Sequence, residues 1–336
     1  MDNKKIKLDL LMFKICTHSG SFHADESLAV YLVKLLPKFK DSQLIRSRKS
    51  EDWEASDIVI DVGAKYDGKK FFDHHQREFS ETFSSDFKTK LSSAGLIYKH
   101  FGKDIIGEVL KTDNQKDIEL LYIKIYKEFI EALDANDNGI NNYLMEAESS
   151  KKFNDRNITL PAMVSKLNPL WNEDLSASAY DSQFLKSSEL MGSAFMNVLL
   201  GYGKGWLPAK SIVEEAFKDR FEIDKSGEIL VLKQFCPWKE HLYAVEKSYN
   251  KEGIIKFVLF ADSTGSWRVS TVSINSTSFE FRLGLPENIR GLRDDELSKT
   301  TGISGCIFVH AAGFIGGATT KEGALKLAKM ALSSTT

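Results

Sequence analysis

The chain has 336 residues, with 45 lysines and arginines against 47 aspartates and glutamates, so its net charge is −2. That balance excludes a strongly basic protein whose whole body binds nucleic acid, although a local basic groove remains possible. Apolar residues make up 42% and charged residues 27%, which is ordinary for a globular protein, and the length favours two domains.

Cysteine usage and hydropathy exclude several further classes. Cys16, Cys236 and Cys306 form no CxxC pair, so the sequence predicts neither a zinc ribbon nor a disulfide framework. No run of 18 apolar residues occurs, so we expect no membrane span and no membrane partner. Residues 1–11 are predicted to form a tail without the features of a signal or transit peptide, which favours the cytoplasm or nucleus.

The first 140 residues alternate predicted strands and helices. Strands are predicted over 12–17, 43–46 and 58–62, and helices over 25–36, 93–101 and 117–135. Gly102 is expected to end the second of these helices. Such alternation predicts an α/β domain with a mostly parallel sheet, whose ligands bind beyond the carboxyl ends of the strands.

The rest of the chain is predicted to contain a connector and a second strand-rich region. Residues 141–188 are polar and irregular. Helices are predicted over 191–200, 211–217 and 321–332, and strands over 229–232, 255–261, 267–274 and 306–310. We therefore predict an α/β domain over 12–185, a helical connector over 186–225 and a smaller α/β domain over 226–336.

Carboxylates and imidazoles gather in four clusters, each after a predicted strand or near a helix end. The clusters are His18-Ser-Gly-Ser-Phe-His23-Ala-Asp25-Glu26, Asp61, Asp73-His74-His75 and Glu131 to Gly139. Each one alone is explained as a turn or a helix cap. Hard cations take oxygen ligands, Mn²⁺ also accepts imidazole, and two adjacent cations need several convergent carboxylates. Together the clusters predict a metal site.

The same clusters carry a family resemblance. The succession HSGSFHADE, DIVIDVG, FDHHQREF and EALDANDNG resembles the four motifs of the DHH phosphoesterase superfamily, which includes exonucleases, oligoribonucleases and manganese-dependent inorganic pyrophosphatases. The strings LSSAGLIYKHFG, CPWKEHLY and FVHAAGFIGG are similar to the eukaryotic melanocyte-proliferating-gene family of nucleases. The resemblance extends from about Lys14 to the C-terminal helix, and it implies a DHH-like catalytic domain with a DHH-associated accessory domain.

The resemblance implies a phosphodiesterase with two divalent cations, Mn²⁺ in first place and Mg²⁺ as the alternative. The implied metal ligands are His18, His23, Asp25, Asp61, His74 and Asp134. Asp61 would bridge the two cations. His75 would donate to the scissile phosphate, and Asp73 would orient the histidines.

Two details of the motifs leave the ligand set open. Many superfamily members have His-x3-Asp-x-Asp in the first motif, whereas this chain has His18-x4-His23-x-Asp25, with one extra residue and a histidine in place of an aspartate. The change removes one negative charge and could alter metal preference. In the fourth motif Asp134 is favoured as the ligand, and Asp137 is the alternative.

Substrate contacts are predicted in the second domain. The candidates are His310, Gly313, Gly316, Gly317, Arg268, Arg282 and Arg293. The glycines resemble an element of the superfamily's accessory domain whose backbone N–H groups approach phosphate closely, and arginine pairs with phosphate through two donors. Glycines and arginines also have plain structural uses, so these candidates depend on the resemblance.

The favoured hypothesis is hydrolysis of single-stranded RNA by a metal-activated water that attacks phosphorus in line. The residues themselves indicate phosphoester hydrolysis. RNA as the substrate partner, 3′–5′ polarity and a mitochondrial and nuclear location are implied by the resemblance alone. Two alternatives stay open: a hydrolase of small phosphoanhydrides or cyclic dinucleotides, and a catalytically silent metal- or RNA-binding protein.

Overall fold

A computed structural model describes residues 12–140 and 157–334. The predicted tail over 1–11 and the first part of the predicted polar connector lie outside these ranges. The chain divides after Gly203 into two compact units, 1–203 and 204–336. The division falls inside the segment 186–225 that the sequence marks as a helical connector.

The first unit contains a four-stranded sheet in which all strands are parallel. The strands are β1 (Lys14–Thr17), β2 (Gln43–Arg46), β3 (Ile58–Ile60) and β4 (Phe71–Phe72). Their order across the sheet is β2-β1-β3-β4. The apolar residues of β1, β3 and β4 are buried, as expected of parallel strands that are covered on both faces. The predicted α/β class is confirmed.

Seven helices belong to the first unit in the described ranges. They are α1 (Ala24–Lys34), α2 (Ser50–Glu54), α3 (Ser93–Leu110), α4 (Gln115–Ile125), α5 (Glu131–Asp137), α6 (Leu160–Ser165) and α7 (Ala177–Leu200). A π-helical segment, Tyr126–Ile130, joins α4 to α5, so the single helix predicted over 117–135 contains a change of pitch. Helix α7 begins well before the predicted residue 191 because Ser176 caps it, accepting a hydrogen bond from the N–H of Ala179.

The prediction that Gly102 ends a helix is wrong. Helix α3 continues past it and ends at Lys111, whose φ of 54° is left-handed. A Cβ atom at Gly102 would lie 2.9 Å from the ring of Tyr122 on α4 and 3.0 Å from the ring of Tyr98. The glycine therefore allows two helices to approach closely instead of ending one.

The second unit contains a mixed five-stranded sheet. Its strands are β5 (Ile229–Val231), β6 (Phe257–Ala261), β7 (Trp267–Thr271), β8 (Cys306–Val309) and β9 (Ile315–Ala318). The order is β5-β6-β7-β9-β8, with β5 and β6 parallel and the other pairs antiparallel. Phe257 and Leu259 belong to one apolar cluster and Val258 and Phe260 to another, so alternate residues of β6 cover both faces of the sheet.

Helices pack on both faces of this second sheet. They are α8 (Ala209–Lys218), α9 (Arg220–Ile223), α10 (Lys239–Ser248), α11 (Asp294–Thr301) and α12 (Lys321–Ser333). Phe217 of α8 and Leu242 of α10 pack in one apolar cluster, whereas Leu297 of α11 and Leu327 of α12 pack in the other. No helix in the described part of the chain combines the length and apolar character that a membrane crossing requires.

Candidate metal centre

Polar side chains follow three strands of the first sheet at the points where those strands end. His18 follows β1, Asp61 follows β3, and Asp73 and His74 follow β4. Because the strands are parallel, their carboxyl ends lie along one edge of the sheet, where ligands of such sheets bind. All four side chains are buried. The sheet topology thus gathers residues that are far apart in sequence.

Asp61 lies at the centre of this cluster. Its Oδ2 is 3.4 Å from Nε2 of His18, and its Oδ1 is 3.6 Å from Nε2 of His74 and 3.5 Å from Nδ1 of His75. Ser93 Oγ donates to the same Oδ1 at 2.8 Å. The backbone of Asp61 has a left-handed φ of 55°, which aspartate tolerates better than most residues. The carboxylate therefore faces three imidazoles at once.

The first turn of α1 adds a second carboxylate next to His18. Oε1 of Glu26 accepts a hydrogen bond from the backbone N–H of His23 at 2.8 Å and lies 3.0 Å from Nε2 of His18. The bond to His23 is the return half of a capping box, which fixes Glu26. Burial opposes the charge on His18, but hydrogen bonds with Asp61 and Glu26 raise the pKa of its imidazole to about 9.

Asp25 is a buried carboxylate without hydrogen-bond donors. Within the ranges that the structure describes, neither of its oxygens has a hydrogen-bond partner. Burial, followed by the charges of Asp61, Glu26 and Asp137, raises the pKa of Asp25 well above its usual range. A buried carboxylate in this state is costly unless a cation or a proton compensates it. The donor chemistry therefore fits a cation site.

Asp137 reaches the cluster from the end of α5. Its Oδ2 lies 3.0 Å from Nε2 of His74, whose buried ring nitrogens form no hydrogen bond with any described residue. Three sets of donor atoms lie close enough together to hold a cation. They are His18, His23, Glu26 and Asp61; Asp61, His74 and His75; and Asp25, His74 and Asp137. Asp61 and His74 each belong to two sets. A carboxylate such as that of Asp61 can bridge two adjacent cations, whereas a nitrogen of His74 binds one.

Asp134 is absent from all three sets, because its own oxygens are engaged elsewhere. Oδ1 accepts hydrogen bonds from the N–H of Ser92 at 3.0 Å and from its Oγ at 2.7 Å, and Oδ2 accepts one from the hydroxyl of Tyr126 at 2.9 Å. Burial raises the pKa of Asp134 to about 7 despite these bonds. A Cβ atom at Gly95 would collide with the carboxylate. Asp134 thus ties α5 to the start of α3, and Asp137 points its carboxylate at His74.

Asp73 holds His75 in a fixed orientation. Its Oδ1 lies 2.7 Å from Nδ1 of His75 and accepts the backbone N–H of the same residue at 3.0 Å. Its Oδ2 accepts the N–H of Ala64 at 2.6 Å. The hydrogen bond with Asp73 raises the pKa of His75, whose side chain is 59% exposed. The rest of this imidazole is therefore open to a molecule that enters from solvent.

Two cavities open onto the cluster. One has a volume of about 600 Å³, and its lining includes His23, Asp25, Asp61, His74, His75 and Asp137. The other has a volume of about 450 Å³, and its lining includes His18, His23, Arg48, Asp61, Asp73 and His75. Because His23, Asp61 and His75 line both cavities, the two cavities meet at the centre of the cluster.

In the second unit, two of the four predicted substrate contacts in FVHAAGFIGG lie in a strand. Gly316 and Gly317 belong to β9, which pairs with β7 on one side and β8 on the other. A Cβ atom at Gly317 would collide with the guanidinium of Arg268, its partner in the register with β7. The glycine-rich element expected to approach phosphate is therefore partly an interior strand, in which the glycines make room for neighbouring side chains.

His310 and Gly313 lie in the turn between β8 and β9. Gly313 has a left-handed φ of 72°, and its N–H donates to the carbonyl of His310 at 2.8 Å. His310 is exposed, and its ring centroid is 4.4 Å from that of Phe314. Its Nδ1 accepts the N–H of Ala312 at 3.0 Å, so the neutral ring carries its proton on Nε2. The Nε2–H of His310 is therefore a donor that its own turn does not use.

The three predicted arginines have different environments. Arg282 forms a buried two-point ion pair with Glu246, with bonds of 2.6 Å and 2.8 Å. Arg268 pairs with Asp262. The exposed Arg293 stands 5.8 Å from the ring centroid of Phe308. Arg282 is therefore part of the structure of the unit, whereas Arg293 remains open to solvent.

Several residues of the site carry no role in the sequence analysis. Glu26 is quoted in the sequence analysis only as the last residue of the first motif, although its spacing from His23 matches a capping box. Ser92 and Ser93, in LSSAG, each hold one carboxylate of the cluster, and a serine before an apolar helix is a cap signal. Arg48 lies in a polar stretch that is typical of a solvated loop, so the sequence offers no sign of its position.

Comparison with known proteins places the whole chain in one family. The family model for MYG1 exonuclease matches residues 14–332. That family is described as "Uncharacterised protein family (UPF0160)". The MYG1 protein of Saccharomyces cerevisiae is 60% identical over 334 residues, which cover 98% of this chain and 99% of the relative. The MYG1 protein of Dictyostelium discoideum is 52% identical over 315 residues, 94% of each chain.

A human relative carries a functional name. The MYG1 exonuclease of Homo sapiens is 45% identical over 328 residues, which cover 95% of this chain and 86% of the relative. Both the family model and these relatives extend over nearly all of the chain, including both compact units. The chain therefore belongs to the MYG1 family, the melanocyte-proliferating-gene family that its motifs indicate.

Proposed function

We propose that the protein is a nuclease that hydrolyses phosphodiester bonds with two divalent cations, Mn²⁺ in first place and Mg²⁺ as the alternative. The observation that carries the proposal is Asp25, a buried carboxylate without donors in the described ranges, beside Asp61, His74 and Asp137. The name of the human relative, MYG1 exonuclease, supports the nuclease class. The motifs support a DHH phosphoesterase that shortens single-stranded RNA from its 3′ end, in the nucleus and mitochondrion.

The donor sets support the following ligands in this proposal. His18, His23, Glu26 and Asp61 would hold one cation. Asp25, His74 and Asp137 would hold the other, and Asp61 would be shared because its Oδ1 also faces His74. In this proposal Asp137 takes the ligand position that the motif comparison gives to Asp134.

The chain's own residues prepare the rest of the reaction. When bound, the cations supply a water of lowered pKa and neutralise the phosphoryl oxygens. His75, held by Asp73, donates a hydrogen bond to a phosphoryl oxygen as its charge grows. Ser93 fixes Asp61 through Oδ1, so the shared carboxylate needs no reorganisation during the reaction.

The test is an Mn²⁺-dependent digestion of 5′-labelled single-stranded RNA, with pyrophosphate and a cyclic dinucleotide assayed in parallel. We expect a ladder that shortens from the 3′ end. Asp61→Asn should slow the reaction at least about a thousandfold, since the cation pair loses its shared carboxylate. Asparagine also tolerates the left-handed backbone of Asp61, which keeps the fold. Asp41→Asn, an exposed aspartate before β2, is the matched control.

Other outcomes would contradict the proposal. Phosphate release from pyrophosphate alone would assign the protein to the hydrolases of small phosphoanhydrides. Absence of turnover on every substrate, with Mn²⁺ bound, would identify a binding protein whose altered first motif no longer supports hydrolysis. Cleavage that Asp61→Asn leaves unchanged would point to a contaminating nuclease.

A further inference from the structure

Arg48 follows strand β2 at the sheet edge where the metal cluster lies. It lies two residues after β2, as His18 follows β1, Asp61 follows β3 and Asp73 follows β4. We propose that Arg48 binds a phosphate group of the substrate strand at this edge. The inference rests on the proposed function and adds a cation to a cluster that otherwise consists of carboxylates and imidazoles.

The position of Arg48 suits a phosphate contact. Its side chain is exposed and lines the cavity of about 450 Å³ together with His75 and Asp61. His75 lines both cavities, so a phosphate that reaches it through the smaller one also meets the side chain of Arg48. Arginine is suited to this role because it presents several donors in a planar fork that matches phosphate oxygens.

Two of the three guanidinium nitrogens of Arg48, Nε and Nη2, have polar neighbours within 3.2 Å. Nε donates to the carbonyl of Ser19 at 3.1 Å, and Nη2 lies 3.2 Å from Nδ1 of His18. In the described ranges Nη1 has no hydrogen-bond partner, and no carboxylate pairs with the side chain. Arg46, two residues earlier, pairs with Asp181 at 3.1 Å. Arg48 is thus a positioned cation whose charge no carboxylate neutralises directly.

The contact between Arg48 and His18 is replaceable. A guanidinium only donates, so this contact is a hydrogen bond only while Nδ1 of His18 has a free lone pair. A His18 that uses Nε2 as a metal ligand carries a proton on Nδ1. The carbonyl of Ser19, 3.4 Å from that nitrogen, can accept it. Ligation by His18 would then leave Nη2 of Arg48, as well as Nη1, for phosphate oxygens.

The test measures the affinity of the Mn²⁺-loaded protein for inorganic phosphate by calorimetry, after the Mn²⁺ affinity itself has been measured. Arg48→Gln should raise the dissociation constant for phosphate about tenfold or more, because a charge-assisted hydrogen bond is lost. Arg48→Lys should restore part of the affinity, since it keeps the charge without the fork. Lys40→Gln, which removes an exposed cation before β2, should change nothing.

A phosphate affinity unchanged in Arg48→Gln would overturn the inference. So would a weaker Mn²⁺ affinity with unchanged phosphate binding, because Arg48 would then only position His18. Where RNA is hydrolysed, Arg48→Gln should raise KM more than it lowers kcat. If the wild-type protein hydrolyses no RNA, the proposed function fails while the phosphate titration still decides the role of Arg48.

Discussion

The predicted site residues of the first unit converge, whereas those of the second unit are largely used by its own structure. Asp25 and His74 keep buried polar atoms without hydrogen-bond partners in the described ranges, although such atoms are usually satisfied. Arg282, by contrast, uses both of its Nη atoms in an ion pair with Glu246, and Gly317 is packed inside a sheet. Carboxylates and imidazoles that converge from the ends of several parallel strands have few structural uses together, while single arginines and glycines have many, so the first kind of pattern is the better guide to a site.

The largest expected effect tests the structural assignment of Arg282. Arg282→Ala should lower the free energy of unfolding by about 3–5 kcal/mol, because Glu246 is left buried and unpaired. The double variant Arg282→Met with Glu246→Gln should recover part of this loss, because glutamine removes the buried charge and keeps an acceptor for the N–H of Ile255. Urea unfolding measures both. Wild-type stability together with a higher KM for RNA would instead make Arg282 a substrate contact and weaken the contrast between the units.

The second prediction separates the two aspartates of the fourth motif. Asp137→Asn should weaken Mn²⁺ affinity about a hundredfold or more, and Asp134→Asn about tenfold at most, since Asp134 acts only by tying α5 to α3. Calorimetric titration with Mn²⁺ gives both values. The reverse order would return Asp134 to the ligand set and show that its bonds with Ser92 and Tyr126 rearrange.

The smallest expected effect is a pH dependence that comes from His18. In the metal-free protein its pKa is about 9, above the usual 6.5, so a proton must leave before the imidazole binds a cation. Mn²⁺ affinity should therefore rise about tenfold per pH unit from near neutrality up to about pH 9. Calorimetry in buffers of different ionisation enthalpy should detect the released proton. An affinity that stays flat over this range would show that His18 is uncharged.

The raised pKa of His18 also makes the metal-free protein less stable as the pH rises, whereas its Mn²⁺ affinity increases. A raised folded-state pKa stabilises the metal-free protein fully below the unfolded value of 6.5, and that contribution is lost as the pH rises through about 9. Metal-free protein should thus lose stability over the range in which it gains Mn²⁺ affinity. Denaturant titrations with a chelator present, compared with His18→Gln, isolate this contribution.

Much of the site was predictable because sheet topology decides it. The apolar runs before His18 and Asp61 predict strands, and alternation with helices makes the strands parallel, so their ends share an edge. The two-residue strand β4 before Asp73 was not predicted. No long-range information beyond that pattern is needed to bring these residues together. The α/β class and the family follow from the same stretches.

The missed features depend on contacts that local patterns do not encode. Gly102 has the signature of a helix end, but its role is set by the ring of Tyr122 on the next helix. The π segment Tyr126–Ile130 changes the pitch before α5, which alters the face on which Asp134 and Asp137 fall relative to a regular helix. Arg48 acquires its place from the pairing of β2 with β1, so only the folded sheet reveals it.

In the proposed metal site, the buried carboxylate of Asp25 would link the lifetime of the folded chain to the supply of the cation. A cation that binds only the native state adds to the free energy of unfolding by mass action, and the gain grows with its free concentration. Molecules without the cation would then unfold more often and meet proteases more often. The proposal therefore implies that degradation falls first on copies that lack the cation.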